Sequence, residues 1–363
     1  MTPAPPRLIA LPPRLFDADP IPALLEHPLP HGDPWGWLLA QALFESEPLA
    51  RRFLRSYPAG LIRIVNEDLE RLRALRSWLQ ERYALSDLGC REATAAEWAA
   101  LEVLERGDAE QLAALYRSQG FAPFSCTSAF TWNGELSPVK YPDPVDLDEL
   151  VGYEKQLNIL INNVRRFLQG KPALSTLLYG ARGTGKSTAV KALRSKFADE
   201  GLRIIEVLPE GLFLLPKLLE QLRDLPQRFL LYIDDLSYDA GDPGWRKLKA
   251  LLDGAVWATP KNTLLIATSN RKNLVREGWS DRPDPGSEPG AWDTLQEKLA
   301  LADRFGLHIT FPPFDQKLYL QAVAHHLDKN QLDEDTRAAA LRFALNGHGF
   351  SGRSAKQFAS LLV

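Results

Sequence analysis

Lys186 and Ser187 close the run Gly180-Ala181-Arg182-Gly183-Thr184-Gly185-Lys186-Ser187, and Thr188 follows it. Every fixed position of the pattern G-x-x-x-x-G-K-[ST] is present. Glycines at these places let backbone N–H groups approach an anion without a side chain in the way. A following helix adds the partial positive charge of its N-terminus. The chemistry is phosphate binding: Lys186 reaches the β- and γ-phosphates, and the Ser187 hydroxyl takes one position on Mg²⁺. Further on, the apolar run Phe229-Leu230-Leu231-Tyr232-Ile233 ends in Asp234-Asp235. Asp234 suits Mg²⁺, directly or through water, and Asp235 suits the orientation of an attacking water. An acidic pair after a strand says little by itself. Combined with the glycine loop it points to nucleoside triphosphate chemistry.

These residues need elements to position them. Leu177-Leu178-Tyr179 is short enough for a buried strand, and Val190, Leu193 and Phe197 mark one face of a helix. The spacing predicts further strands at Leu202 to Leu208, Arg228 to Ile233, Thr263 to Asn270 and Leu307 to Phe311, the last ending at Pro312-Pro313. Between them it predicts helices at Leu214 to Leu222, Trp245 to Leu252 and Leu295 to Ala302, with a Gly-, Pro- and Asp-rich loop over 277 to 291. Strands alternating with helices imply an α/β fold, a parallel sheet with helices on both faces. Three closing helices, near Lys317 to Leu327, Thr336 to Leu345 and Ser354 to Leu362, suffice for a helical lid.

Upstream, the chain reads differently. Residues 1–34 are crowded with proline, which removes backbone donors and blocks helix, so they read as an extended arm, expected to pack on its own chain in preference to docking on a partner through Leu8, Ile9, Leu11, Leu15 and Phe16. From Trp35 to about Gly120 the period is helical, as in Val65, Leu69, Leu72, Leu75 and Leu79. Gly120 to Pro144 is aromatic-rich and reads as an irregular connector. The domains expected are therefore 1–34, an arm; 35–140, a helical N-terminal domain with its connector; 141–313, the nucleotide-binding core; and 314–363, the lid.

The 363 residues are 45% hydrophobic and 25% charged, with a net charge of -3. That is the make-up of a soluble globular protein, with no global pull toward nucleic acid or acidic membrane. Arg51, Arg52 and Arg55 are interleaved with acids and read as a solvated helix face. Cys90 and Cys126 are the only cysteines, too few for a disulfide scaffold or a cysteine zinc site. No secretory leader is recognisable, and no segment has the ~18 uncharged apolar residues of a membrane helix. The cytoplasm is the expected compartment. His325 and His326 are adjacent on a predicted helix and point to different faces, so metal chemistry beyond Mg²⁺ has no support.

The order of parts resembles an AAA+ P-loop ATPase. Val151-Gly152 stands where that superfamily has its adenine-side residues, and Asn270 at the position called sensor 1. Asp303-Arg304-Phe305 resembles the arginine-finger box, and Ser351-Gly352-Arg353 resembles sensor 2. More narrowly, the segments at Gly180 to Ser187, Phe229 to Ser237, Ala267 to Arg271, Glu297 to Leu307 and Ser351 to Phe358 are similar to a group of bacterial predicted ATPases, the domain-of-unknown-function 815 family. The resemblance runs from about Trp132 to the C-terminus. It implies ATP and Mg²⁺ as cofactors and Lys186, Asp235, Asn270 and Arg304 as catalytic residues. Arg304 would act on a neighbouring subunit's nucleotide, and Arg353 would clamp ATP from the lid. One departure stands out: most hydrolytic AAA+ proteins carry Asp-Glu where this chain has Asp234-Asp235, and the shorter second acid implies slow turnover.

The function expected is an ATPase that assembles as a homo-oligomer, with nucleotide at subunit interfaces, and drives a conformational change on a protein client. Two other readings stay open. One is a nucleotide-gated binding module with incidental turnover. The other is a nucleic-acid-associated loader, which the near-neutral charge and the lack of a helix-turn-helix pattern disfavour. Leu208 to Phe213 lacks the aromatic-glycine loop of protein-threading enzymes.

Overall fold

A computed structural model of the protein describes residues 4–12, 15, 29–56, 58–85, 89, 92–125, 127–238, 260–272, 274–275, 301–329 and 331–362. The predicted helix at 245–252, the loop at 277–291 and most of the predicted helix at 295–302 lie outside the described residues. The chain divides into two compact units, one of residues 1–127 with 224–227 and the other of 128–223 with 228–363.

The first unit is helical: α1 (Pro34–Glu45), α2 (Glu47–Arg55), α3 (Ala59–Arg82), α4 (Ala95–Arg106) and α5 (Ala109–Gln119). The stripe Val65, Leu69, Leu72, Leu75 and Leu79 is the buried face of α3, as its spacing predicts. Capping boxes start α4 at Thr94 with Glu97, and α5 at Asp108 with Gln111. Each satisfies backbone N–H groups that have no partner within the helix. Gly107 ends α4, and Arg73 from α3 closes that end by donating to the carbonyls of Leu104, Val103 and Gly107. The proline-rich arm packs on its own chain through Asp68. This carboxylate is fully buried and accepts the backbone N–H groups of Arg7 and Leu8 at 2.7 and 2.6 Å. Arg51 pairs with Glu47 at 2.7 Å and Arg55 with Asp224 at 3.0 Å, so these two cations meet acids, as their interleaving with carboxylates predicts.

The second unit holds a seven-stranded sheet in the order β2-β1-β4-β5-β6-β3-β7. Its strands are β1 (Ala129–Trp132), β2 (Leu136–Pro138), β3 (Thr176–Gly180), β4 (Leu202–Val207), β5 (Arg228–Ile233), β6 (Thr263–Ser269) and β7 (Leu307–Phe311). All neighbours are parallel except β1 and β2. The hairpin β1–β2 corrects the reading of this stretch as an irregular connector. Phe130 and Trp132 alternate inward over only four residues, and the Trp132 indole donates to the Gly211 carbonyl at 3.0 Å. Alternation that brief does not reveal a strand without its partner β4.

Helices α6 (Glu154–Leu168), α7 (Lys186–Phe197) and α8 (Leu215–Leu222) accompany the sheet. Leu178, Leu230, Tyr232, Leu264 and Ile266 from the strands share one buried core with Ala189, Val190 and Leu193 of α7 and with Leu160 and Val164 of α6. Three more helices follow β7: α9 (Gln316–His326), α10 (Glu334–Phe343) and α11 (Gly352–Ser360). They form the helical lid, and Tyr319, Ala322, Ala340, Ala355 and Phe358 tie it into the same core. The architecture is the α/β fold expected from the sequence, a mostly parallel sheet with accompanying helices and a C-terminal helical group. No described helix is long and apolar enough to cross a membrane.

Candidate functional site

The sheet register brings the chemistry-bearing residues together. Tyr179 of β3 pairs with Ser269 of β6, and Ala267 of β6 pairs with Ile233 of β5. The residues one step further, Gly180, Asn270, Thr268 and Asp234, therefore meet at the carboxyl ends of three adjacent strands. Ligands of open α/β sheets bind at such ends. A cavity of about 630 Å³ lies there, floored by residues 182–188 and by Asp234, Asp235, Thr268 and Asn270, with Arg353 on its lid side. Its size falls within the ~300–1,000 Å³ of small-molecule sites.

The glycine loop turns from β3 into α7. Gly180, Gly183 and Gly185 all have positive φ (147°, 74° and 90°), which favours glycine. A Cβ on Gly180 would lie 1.9 Å from the Phe311 carbonyl oxygen, and one on Gly183 would lie 2.9 Å from Ser351 Cβ. The loop therefore fits against β7 on one side and the lid on the other only without side chains. No side chain caps α7. The N–H groups of its first turn are thus free of side-chain competition for an anion, whose charge the helix end favours.

Lys186 is 7% exposed. Its ammonium donates to the carbonyls of Gly180 (2.9 Å) and Ala181 (2.8 Å) and to Asn270 Oδ1 (3.2 Å). Burial holds this amine below the ordinary lysine value, reinforced by Arg182 and opposed by Asp235 and Asp234. Ser187 Oγ donates to Asp234 Oδ1 at 2.8 Å, and Thr268 Oγ1 donates to the same oxygen at 2.6 Å. Burial pushes the Asp234 carboxyl upward. Hydrogen bonds led by Thr268 outweigh that and hold it below the ordinary aspartate value. Asp234 is therefore a carboxylate at neutral pH. A serine hydroxyl beside a fixed carboxylate is a hard-oxygen donor set, and it fits Mg²⁺.

Asp235 has φ 47°. Aspartate and asparagine tolerate this left-handed region better than glutamate does, which gives a backbone reason for Asp-Asp at this turn. Its backbone N–H donates to Thr268 Oγ1 at 2.9 Å, and its carboxylate accepts from Asn270 Nδ2 at 2.6 Å. Lys186, Asn270 and Asp235 thus form one hydrogen-bonded chain.

The other expected residues, Arg304 apart, lie in or around the cavity. Val151 lines the cavity, whereas Gly152 packs on the lid: a Cβ there would meet Leu318 Cδ1 at 2.1 Å. Gly180 and Ala181 contribute carbonyls to Lys186 and do not line the cavity. Arg353 lines it, and its backbone N–H points to the Gly183 carbonyl at 3.4 Å. Arg304 is exposed, in the turn between the helical residues 301–303 and β7, and does not line the cavity of its own chain.

Other lining residues escape the sequence reading. Thr268 bridges both aspartates, a role visible only once the strand register is known. His326 lines the cavity, and burial, His325 and Lys356 depress its pKa while Glu149 opposes them. Lys356 of α11 and Glu149 pair at 2.7 Å, joining lid to core at the cavity.

Comparison with known proteins places this site in a family. No curated protein matches the chain. Among solved structures, Thermotoga maritima RuvB, a Holliday junction branch migration motor, aligns at 15% identity and TM-score 0.38, over 60% of this chain and 63% of that one. A P216G mutant of the same RuvB aligns at 16% identity and TM-score 0.39, over 60% and 64%. The chain thus spans less than two thirds of the length of these RuvB chains. A chain of the Escherichia coli MS115-1 HORMA:CdnC:Trip13 complex aligns at 14% identity and TM-score 0.38, over 60% and 90%. The family described as protein of unknown function DUF815 matches residues 125–363, more than half of the chain and the whole of the site, and the protein belongs to that family.

Proposed function

We propose that the protein binds ATP with Mg²⁺ in this cavity and hydrolyses it at the interface between subunits of a homo-oligomer. The observation that carries the reading is the convergence of Lys186, Ser187, Asp234, Asp235 and Asn270 at three strand ends, beneath a glycine loop that admits no side chain. Loop N–H groups and Lys186 would hold the phosphates, with Lys186 exchanging its carbonyl partners for phosphate oxygens. Ser187 and Asp234 would hold Mg²⁺, which supplies charge neutralisation on the β- and γ-oxygens. Asp235 would accept a proton from the attacking water, and Asn270 would keep that carboxylate aimed. Val151 would contact the base, and Arg353 would close on the nucleotide from the lid.

Arg304 is assigned to the neighbouring subunit's site, because it lies at an element end away from its own cavity. Turnover is expected to be slow. The aspartate side chain is a methylene shorter than glutamate, and a misplacement of about 1 Å can cost on the order of 100-fold in rate. The use of the cycle is proposed to be a conformational change on a protein client, with the cytoplasm as its setting.

Lys186→Ala tests the reading at its root. A ligand at 100 times its Kd stabilises the folded state by about 2.7 kcal/mol. For a unit of this size that raises the melting midpoint by about 5–10 °C. Wild type should show this rise with Mg·ATP, and Lys186→Ala should lose most of it. Equal rises in both proteins would refute the assignment.

A further inference from the structure

Tyr232 is a feature of the site that phosphate binding does not explain. It lies on β5 two residues before Asp234, so the two side chains share a face of the sheet. The face is the one covered by α7, and Tyr232 is 1% exposed there among Val190, Leu193 and Ile266. Its hydroxyl faces Asp234, Ser187 and Thr268. It lies within interaction range of these three groups yet makes no hydrogen bond of ordinary geometry among the described residues. A buried hydroxyl without a partner is destabilising, and phenylalanine would fill the same space without that cost.

The neighbouring carboxylate shows where the hydroxyl can act. Asp234 Oδ1 already accepts from Ser187 Oγ (2.8 Å), Thr268 Oγ1 (2.6 Å) and the Asp235 backbone N–H (3.1 Å). Among the described residues no hydrogen bond of ordinary geometry is made to Oδ2, and the nearby Tyr232 hydroxyl helps to hold the carboxyl below its ordinary value. The Tyr232 hydroxyl therefore lies close to the Asp234 carboxylate without a hydrogen bond of ordinary geometry, beside the Ser187 and Asp234 oxygens that suit a divalent cation. Groups that hydrogen-bond to metal ligands from behind fix their orientation and tune affinity.

We infer that Tyr232 is a positioning residue for the divalent cation, its hydroxyl supplying a hydrogen bond to the outer coordination shell on the Asp234 side. The inference rests on the nucleotide-binding reading above and goes one step past it. The residue acts from the core, beneath α7, and does not touch the phosphates. Its effect is therefore confined to the metal-dependent part of binding.

Tyr232→Phe separates this role from packing, because it removes one oxygen and keeps the ring. With ATP bound, the dissociation constant for Mn²⁺, read from the electron paramagnetic resonance signal of free Mn²⁺, should rise about tenfold. ATP affinity measured with EDTA present should stay within twofold of wild type. The melting midpoint without nucleotide should be unchanged or higher, since an unpaired buried hydroxyl has gone. Equal Mn²⁺ affinity in the two proteins overturns the inference. So does a lower midpoint accompanied by equal weakening in EDTA, which would assign Tyr232 to packing alone. If wild type takes up ATP but no Mn²⁺, the metal assignment of Ser187 and Asp234 falls with it. If wild type binds no ATP at all, the nucleotide reading itself is wrong.

Discussion

Asp235→Asn is expected to lower ATP turnover by about 1,000-fold while leaving ATP affinity within a few-fold of wild type. A positioned general base contributes roughly 10²–10⁴ in rate, and the amide keeps the shape of the carboxylate without its basicity. The substitution is clean at this position. Asp235 has φ 47°, a conformation asparagine tolerates as well as aspartate does, so no backbone strain is added. Asn270 Nδ2, 2.6 Å from Asp235 Oδ1, can still donate to the new amide oxygen. Single-turnover hydrolysis beside equilibrium binding measures both halves. Undiminished turnover would transfer the role of orienting water to another group, with Asn270 the first candidate.

Arg304→Ala is expected to lower turnover by about 1,000-fold as well, through a different route. Arginines that stabilise the charge of a transferring phosphoryl group are worth on the order of 10³–10⁵ in rate, whether they come from the same chain or another. Arg304 is exposed and lies off its own cavity, at the turn into β7. A head-to-tail assembly would bring it against the neighbour's nucleotide, and such contacts close into rings when the rotation permits. Hydrolysis per subunit should then rise with protein concentration. Mixing Arg304→Ala with Lys186→Ala should restore activity, because an intact nucleotide site on the first meets an intact arginine on the second. Absence of recovery, with turnover independent of concentration, would leave Arg304 as a surface residue.

The parts of the site that were legible in the sequence are those fixed by local spacing. The glycine loop, Lys186, Ser187 and the aspartate pair sit within single turns or at strand ends, so the order of residues suffices to place them. The five parallel strands β4, β5, β6, β3 and β7 and the three lid helices were legible for the same reason, from runs of apolar residues and their period. What remained hidden depends on partners distant in the chain. Thr268 reads as an ordinary strand residue until Ala267 is paired with Ile233. Tyr232 reads as one more apolar position of β5, since neither burial nor the lack of a partner is visible in a string of letters. Glu149 and Lys356 are 207 residues apart, and no periodicity links them. His326 was read by its helix alone, and the cavity that gives it a role is built from other elements. The hairpin β1–β2 failed from brevity, because four alternating residues do not distinguish a strand from an aromatic loop.

The central claim is that one Mg·ATP occupies the cavity under the glycine loop of each chain. Isothermal titration of the full-length protein with ATP in the presence of Mg²⁺ tests it most directly. The account predicts saturable binding near one nucleotide per chain, with a dissociation constant in the range of roughly 1 μM to 1 mM typical of enzyme substrates. It also predicts weaker binding when Mg²⁺ is chelated. No saturable binding at millimolar ATP would contradict it, as would binding of the same strength and stoichiometry in Lys186→Ala.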